Sequence, residues 1–414
     1  MCAPSRRAVC TAMTIGVIGG GLQGCLAAIE LADRGYAVVL LERRMDLLRA
    51  ASRWNEGKIH LGYLFAKDPS LQTARRMIEG ALAFAPLLSR YLGRSLDFAA
   101  QSGDVIYGIH RDSQITPEAA RAHMQAVDAL MRDALSYGGR DYLGAKALAP
   151  ISPVKPAELG LDESIVGAAI RTPERSIHPI DIADAVRDRV CDTARIVVHI
   201  GREVVRVDRD DAGRFWLDDA LAERHGPFDS LVNATWESRM AIDQMLGYDP
   251  PMPWLHRYKV GLLGHDVHGS EDTATLTLIL GAFGDVVNYG GGRIYLTWYP
   301  VGHIASTTSL APGQLEPDIG PDLDATIRGE IFARLGEIVP GIRQFAPAED
   351  SYELRGGYIT AWGDTDIDDP RSGLHARHAI GVHSDRGYHS VDTGKLTMAP
   401  FNAAVVGRRV AGDE

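Results

Sequence analysis

Apolar residues open the chain in two rhythms. Ile15, Val17 and Ile18 form a short run interrupted only by Gly16, which predicts a buried strand. The turn Gly19-Gly20-Gly21-Leu22-Gln23-Gly24 follows. Leu22, Leu26 and Ile29 then recur at helical spacing, and Gly35 stands where a helix C-terminal cap belongs. Tyr36 to Leu41 predicts a second strand, closed by Glu42. Leu71, Ala74, Ile78 and Leu82 predict an amphipathic helix over 70–92, DFAAQSGDVIYGIH reads as strands, and PEAARAHMQAVDALMRDAL as another helix. Ile182, Val186 and Val190 share a helix face, ARIVVHIGREVVRVD reads as a strand pair and FDSLVNATW as a later strand. Between 239 and 349, KVGLLGHDV, ATLTLILGAF and GGGRIYLTWYPVG read as strands, with Gly290-Gly291-Gly292 as a hairpin turn.

Strand, glycine turn, helix, strand and terminal acid together predict a dinucleotide site. Gly19 permits a tight turn, Gly21 lets backbone approach a pyrophosphate, and Gly24 lets the helix lie close on the strand. The helix N-terminus offers free N–H groups to the anion. Glu42, about twenty residues beyond the turn, is placed to accept hydrogen bonds from a ribose and disfavours a 2′-phosphate, although Arg43 and Arg44 follow.

Beyond Glu42 the chain resembles the FAD-dependent oxidoreductases of the D-amino-acid oxidase, glycine oxidase and sarcosine oxidase superfamily. The resemblance rests on AASRWNEGKIHLGYLFAKD, ERSIHPIDIADAVRDRV, FDSLVNATW and GYHSVDTGKLTMAP, and covers nearly the whole chain. It implies an α/β fold with a discontinuous Rossmann-like, glutathione-reductase-type FAD domain from 13–70, 150–238 and 350–414. An α+β substrate domain with a mixed or antiparallel sheet is then expected from 71–149 and 239–349.

By the same resemblance, Gly19, Gly21, Leu22, Gln23 and Gly24 of the turn, Glu42 and Arg43 contact the cofactor. So do Ser52, Arg53, Asn55 and Gly57 along the pyrophosphate and ribityl chain. Val204 meets the adenine; Ala234 and Thr235 end a strand beside it, with Trp236 where the family has Gly. Gly394, Lys395, Leu396 and Thr397 close over the flavin. FAD is expected to be non-covalent, since the step Ser52-Arg53-Trp54-Asn55 lacks an attaching histidine and no Cys follows Cys191.

For chemistry, Arg355 matches an arginine that binds a substrate carboxylate in several members, with Gly356 in place of the family's Pro. Its alternative is an ion pair with Asp364, Asp366, Asp368 or Asp369. His60 and Lys58 follow the ribityl segment; His60 is a candidate base or oxygen-activating group, or else a structural histidine. Lys395 is a candidate cation near the flavin, or a solvated cap residue. Lys259 falls too early to match the lysine that promotes oxygen reaction in sarcosine oxidases. Tyr295, Trp298 and Tyr299 are candidates for a substrate face. The implied reaction removes a hydride from a C–N bond of an amine or amino acid, with oxygen expected to reoxidise the flavin. Oxidation of a hydroxy acid or polyol C–O bond, or flavin binding without turnover, are the alternatives.

Composition narrows this further. A net charge of −11 over 414 residues argues against nucleic acid as a partner. No apolar run reaches membrane-spanning length. Cys2, Cys10, Cys25 and Cys191 are scattered, with neither a disulfide framework nor a zinc-site spacing, which fits a reducing, cytoplasmic setting. Ser5-Arg6-Arg7 imitates a twin-arginine signal, but cleavage beyond it would remove the first core strand. Residues 1–12 are therefore expected to be a frayed tail, with Met13 as an alternative start.

Overall fold

The structure is a computed structural model that describes residues 13–312, 317–345 and 351–413. The expected tail, 1–12, lies outside the described residues. Strand β1 (Thr14–Ile18) leads into helix α1 (Leu22–Asp33) and strand β2 (Ala37–Leu41), as the apolar pattern predicts. β1 lies between β2 and Ser230–Asn233, parallel to both. The six-stranded sheet continues through Ile196–His199 on one side, and through Tyr388–Asp392 and Gly381–Asp385 on the other. Central parallel strands are covered on both faces, which is why β1 has no polar alternation.

α1 is more buried than its stripe suggests: every residue except Asp33 is buried. The helix Ala399–Ala411 lies against it, so its second face is also covered. Glu30, 1% exposed, survives there because Arg34 (2.7 Å) and Arg90 both pair with it. Strands Val204–Arg209, Phe215–Asp219 and Arg224–Phe228 form a small antiparallel sheet beside the six-stranded one, sharing a core of Phe215, Leu217 and Phe228 with Leu41 and Leu231.

The second large sheet has nine strands. Its spine is the antiparallel pair Trp254–Gly264 and Tyr352–Trp362, in register from Trp254↔Trp362 to Gly264↔Tyr352. The helix Pro321–Ile338 covers one face through Ile327, Ile331 and Leu335. Gly290, Gly291 and Gly292 take φ of +78°, +60° and +74° between antiparallel strands 284–290 and 293–298, so the hairpin reading stands.

The expected domain boundaries need correction. Ser152–Val154, Val166–Arg171 and Tyr352–Trp362 join the nine-stranded sheet, not the nucleotide sheet. Ile106–His110 offers Val166–Arg171 an open edge, and Trp254–Gly264 offers Tyr352–Trp362 eleven matched positions. In the other direction, helix α2 (Gln72–Leu92) leaves its expected domain and packs on Ala399–Ala411, with Tyr91 Oη donating to the Pro400 carbonyl at 3.2 Å.

Two predictions follow from this packing. A Cβ at Gly24 would fall 1.8 Å from the Gly19 carbonyl oxygen. Gly24→Ala should therefore destabilise the fold by about 3 kcal/mol or more, the upper range for overpacking, read as a lowered midpoint of denaturant unfolding. Burial pushes both His256 and His389 from the ordinary 6.5 down to about 4, with the nearby Arg239 and Arg409 charges adding to the effect. Between those values the unfolded chain takes up protons that the folded protein refuses. Stability should thus fall as pH drops from 6.5 toward 4, and His389→Gln should flatten that part of a Tm-against-pH profile.

Candidate cofactor and substrate cleft

A long cleft begins at the β1–α1 turn and ends against the nine-stranded sheet. Its cavity of about 400 Å³ lies in the ordinary range of small-molecule and cofactor sites. At the nucleotide end, Gly19 has φ +101°, and a Cβ there would lie 2.6 Å from the Ala234 carbonyl oxygen. Gly21 differs: a Cβ would meet only Ser52 Oγ, at 3.2 Å, so this position opens onto the cleft. Gly21 is the N-cap of α1 and supplies no side-chain cap. Leu22 N–H donates to Ser52 Oγ at 2.8 Å, and the N-terminal field of a twelve-residue helix faces the cavity. This cradle fits a pyrophosphate.

Glu42 accepts from Gly20 N–H at 2.6 Å through one oxygen and from Arg44 N–H at 2.8 Å through the other. Each oxygen keeps a second acceptor site for a ribose. Arg43 lines the same end but is paired with Glu237. Gln23, Asn55, Val204, Ala234, Thr235, Gly394, Lys395 and Leu396 all line the cleft. Trp236, where the resemblance leads one to expect Gly, takes φ +55°, a conformation costly for a bulky residue, and its indole N–H is tied to the Tyr358 carbonyl at 2.7 Å.

Several expected contacts are redirected. Arg53 turns away from the cleft, and both its Nη atoms lie 2.8 Å from Asp184 Oδ1. Gly57 has φ +62° and would place a Cβ 1.9 Å from the Ile177 carbonyl, so it permits a close chain crossing, and it is not among the residues that line the cleft. Gly24 likewise serves helix–strand contact. Thr397 is fully buried; its Oγ1 accepts from His60 N–H at 2.9 Å and donates to the Lys58 carbonyl at 3.3 Å, stapling the two segments together. Arg355 does not reach the cleft. It is exposed and lies 3.4 Å from Glu353, because both fall on the solvent side of a strand whose alternate residues Tyr352 and Leu354 are buried; Asp366 pairs with Arg257 instead.

The inner chamber holds the densest set of buried charges. Lys58, on strand β3 (Lys58–Ile59) and 3% exposed, bonds to Thr277 Oγ1 and lies 3.4 Å from Asp285. Lys259 lies 3.9 Å from the other Asp285 oxygen. His60, 1% exposed, has Nδ1 3.5 Å from Glu174 and Nε2 3.9 Å from Glu56, with neither nitrogen hydrogen-bonded. Burial and the Lys395 charge lower its pKa, against the pull of Glu174, so the ring is neutral at neutral pH. Burial pushes Lys395 down to about 8. Burial raises Glu56, but Lys395, Lys58 and Lys259 prevail and hold it at about 2. Tyr295 and Tyr299 line the chamber; Trp298 packs in the core beside Phe283.

Arg257, Lys259, Glu56, Asp285 and Arg377 were not among the expected functional residues. A signal for two of them exists: Arg257 and Lys259 stand at i and i+2 in an eleven-residue strand that is mostly apolar apart from His256, so both point to one side of a buried sheet. Asp285 and Arg377 come from distant segments and carry no local mark. Away from the cleft, Asp219, Glu223 and His225 converge, but Arg202 sits among them at 3.0 Å from Asp219 and 2.8 Å from Glu223.

Comparison with known proteins bears on the fold and the family. The chain is 26% identical over 242 residues to the FAD-dependent monooxygenase FPY4 of Fusarium mangiferae, covering 57% of this chain and 53% of that one. It thus spans about half the length of that relative. Its fold is similar to that of glycine oxidase from Geobacillus kaustophilus, with TM-score 0.68, 16% identity, and coverage of 97% of this chain and 96% of that one. It is also similar to L-proline dehydrogenase from P. horikoshii, with TM-score 0.65, 16% identity and coverage of 97% and 94%. A family model described as FAD dependent oxidoreductase, DAO, matches residues 14–395, nearly the whole of this chain, which therefore belongs to the DAO family of FAD-dependent oxidoreductases.

Proposed function

We propose that this enzyme oxidises the C–N bond of a small amine or amino acid, taking a hydride equivalent from carbon and leaving an imine that water hydrolyses. The observation that carries this reading is one continuous cleft that joins a dinucleotide cradle to a chamber of mixed buried charge. An amino acid presents both signs of charge, and the chamber answers both. FAD, when bound, supplies the two-electron acceptor. The similarity in fold to glycine oxidase and L-proline dehydrogenase supports nitrogen as the site of oxidation.

In this proposal Gly21 and the α1 N-terminus hold the pyrophosphate, Glu42 the ribose, and Gly394 and Leu396 the flavin end of the cleft. Lys395 attracts the substrate carboxylate. Asp285, positioned between Lys58 and Lys259, and Glu56 face the substrate nitrogen. His60, neutral and unbonded at Nε2, accepts the proton that leaves that nitrogen. Arg355 has no role in this chemistry.

We further propose that FAD is held without a covalent bond, since neither Cys25 nor Cys191 lines the cleft. Oxygen is the proposed final acceptor and the cytoplasm the proposed compartment; no helix among the described residues is long and apolar enough to cross a membrane.

The decisive experiment is an absorbance spectrum of purified protein, followed by anaerobic addition of amines, amino acids and hydroxy acids. A flavin spectrum is expected, released by acid precipitation, and bleached by an amine or amino acid with recovery and peroxide formation in air. Bleaching by hydroxy acids alone would overturn C–N oxidation. Gly21→Ala separates cradle from fold. Its Cβ meets only a serine oxygen, so the unfolding midpoint should hardly move, while Kd for FAD, measured by titration of apoprotein, should rise at least about tenfold, the equivalent of 1.4 kcal/mol.

A further inference from the structure

Beyond the ammonium groups, the chamber carries a second cationic centre that the proposed amine chemistry does not use. Arg257 is 2% exposed and Arg377 is 8% exposed, and both line the cleft. Arg257 Nη1 donates to Tyr299 Oη at 2.9 Å and to Asp366 Oδ1 at 3.0 Å, but its Nε has no partner. Arg377 Nε donates to the Leu374 carbonyl at 2.9 Å and Nη1 to the Thr360 carbonyl at 3.4 Å. No carboxylate lies within ion-pair distance of Arg377 among the described residues.

Asp366 cannot serve both arginines. Its oxygens already accept from Arg257, from Tyr299 at 2.7 and 2.9 Å and from Ile367 N–H at 2.7 Å, with His303 Nδ1 at 3.3 Å. Asp392, whose charge also reaches Arg377, pairs with Arg239 at 3.5 Å. Burial and the neighbouring Arg257 charge push Arg377 down to about 9, which reports how poorly its charge is compensated. Of two buried guanidinium groups, therefore, Arg257 holds the one saturated carboxylate and Arg377 has carbonyl acceptors alone. Buried charges of like sign persist at such cost where a ligand of opposite sign completes the site.

We propose that the Arg257–Arg377 pair receives a second anionic group, carboxylate or phosphate, so that the substrate is a dianion and not a simple amino acid. This rests on the amine-oxidation reading for the first carboxylate, held near Lys395. The planar forks suit either oxyanion bidentately, where a lysine would act as a point charge.

The test uses FAD-loaded protein, in which the pyrophosphate cradle is filled. Kd values for acetate, succinate and inorganic phosphate are measured at pH 7 from perturbation of the flavin spectrum and from ligand-dependent shifts in Tm. Succinate or phosphate should bind at least tenfold more tightly than acetate. Arg377→Gln should abolish that margin while leaving acetate unchanged, and Arg377→Lys should keep part of it. A preference for phosphate over succinate would assign the group as a phosphate, and the reverse as a carboxylate. Equal binding of all three, or an equal loss for acetate and succinate in Arg377→Gln, would overturn the proposal. Should Arg377→Gln fail to fold, the wild-type comparison decides alone. Turnover of N-methylglycine against iminodiacetate separates the two readings. If N-methylglycine is oxidised as fast as iminodiacetate, C–N oxidation stands and the dianion falls. If dianions bind tightly but no amine bleaches the flavin, the anion site stands and the amine reading falls.

Discussion

The tight crossing of helix α1 over the end of β1 governs everything at the nucleotide end of the cleft. Gly24 rides over the Gly19 carbonyl with no room for a side chain, and Gly19 in turn passes the Ala234 carbonyl. That contact brings the α1 N-terminus to the mouth of the sheet and aims its unpaired N–H groups at the cavity. It also lets Glu42, at the end of the neighbouring strand, reach back to Gly20 N–H. Loosen this crossing, and the turn, the helix field and the ribose acid no longer share one site.

A different constraint rules the far end: charge buried where water is scarce. Lys58, Lys259 and Lys395 face Glu56 and Asp285, with Glu174 also acting on Lys58, while Arg257 pairs with Asp366 and Arg377 has no carboxylate at ion-pair distance among the described residues. The arginine set is short of one negative charge. Isolated buried ions cost several kcal/mol apiece, so the arrangement has its rationale in what enters the cleft. The sheet makes such crowding possible, because strands 254–264, 276–279 and 284–290 present side chains to one face at close spacing.

The nucleotide unit was legible because its signals are local. A buried strand, a glycine turn, a helical stripe and a second strand lie within thirty residues, and each element is dictated by its own period. Gly21 and Glu42, expected from that order, and Ser52 and Val204, expected from the resemblance, all line the cleft. Arg53, Gly57, Thr397 and Arg355 sit in the right segments, but a neighbouring chain claims them: Asp184 draws Arg53 away, Ile177 crowds Gly57, and solvent takes Arg355.

What the sequence by itself determined, then, is the kind of nucleotide cradle, which follows from short-range periodicity and glycine placement, and, through resemblance of its longer segments, the family of fold. Which strands joined which sheet, and which cations met in the chamber, only the tertiary structure decided. Val166–Arg171 and Tyr352–Trp362 are ordinary strands in sequence, and their sheet was chosen by the open edges they could reach. Arg257 and Arg377 stand 120 positions apart, and nothing in either neighbourhood announces the other. Their meeting is a property of strand register and of an irregular segment returning over the sheet. Long-range pairing of that kind leaves no local mark, because the energy that specifies it exists only once the chain has closed.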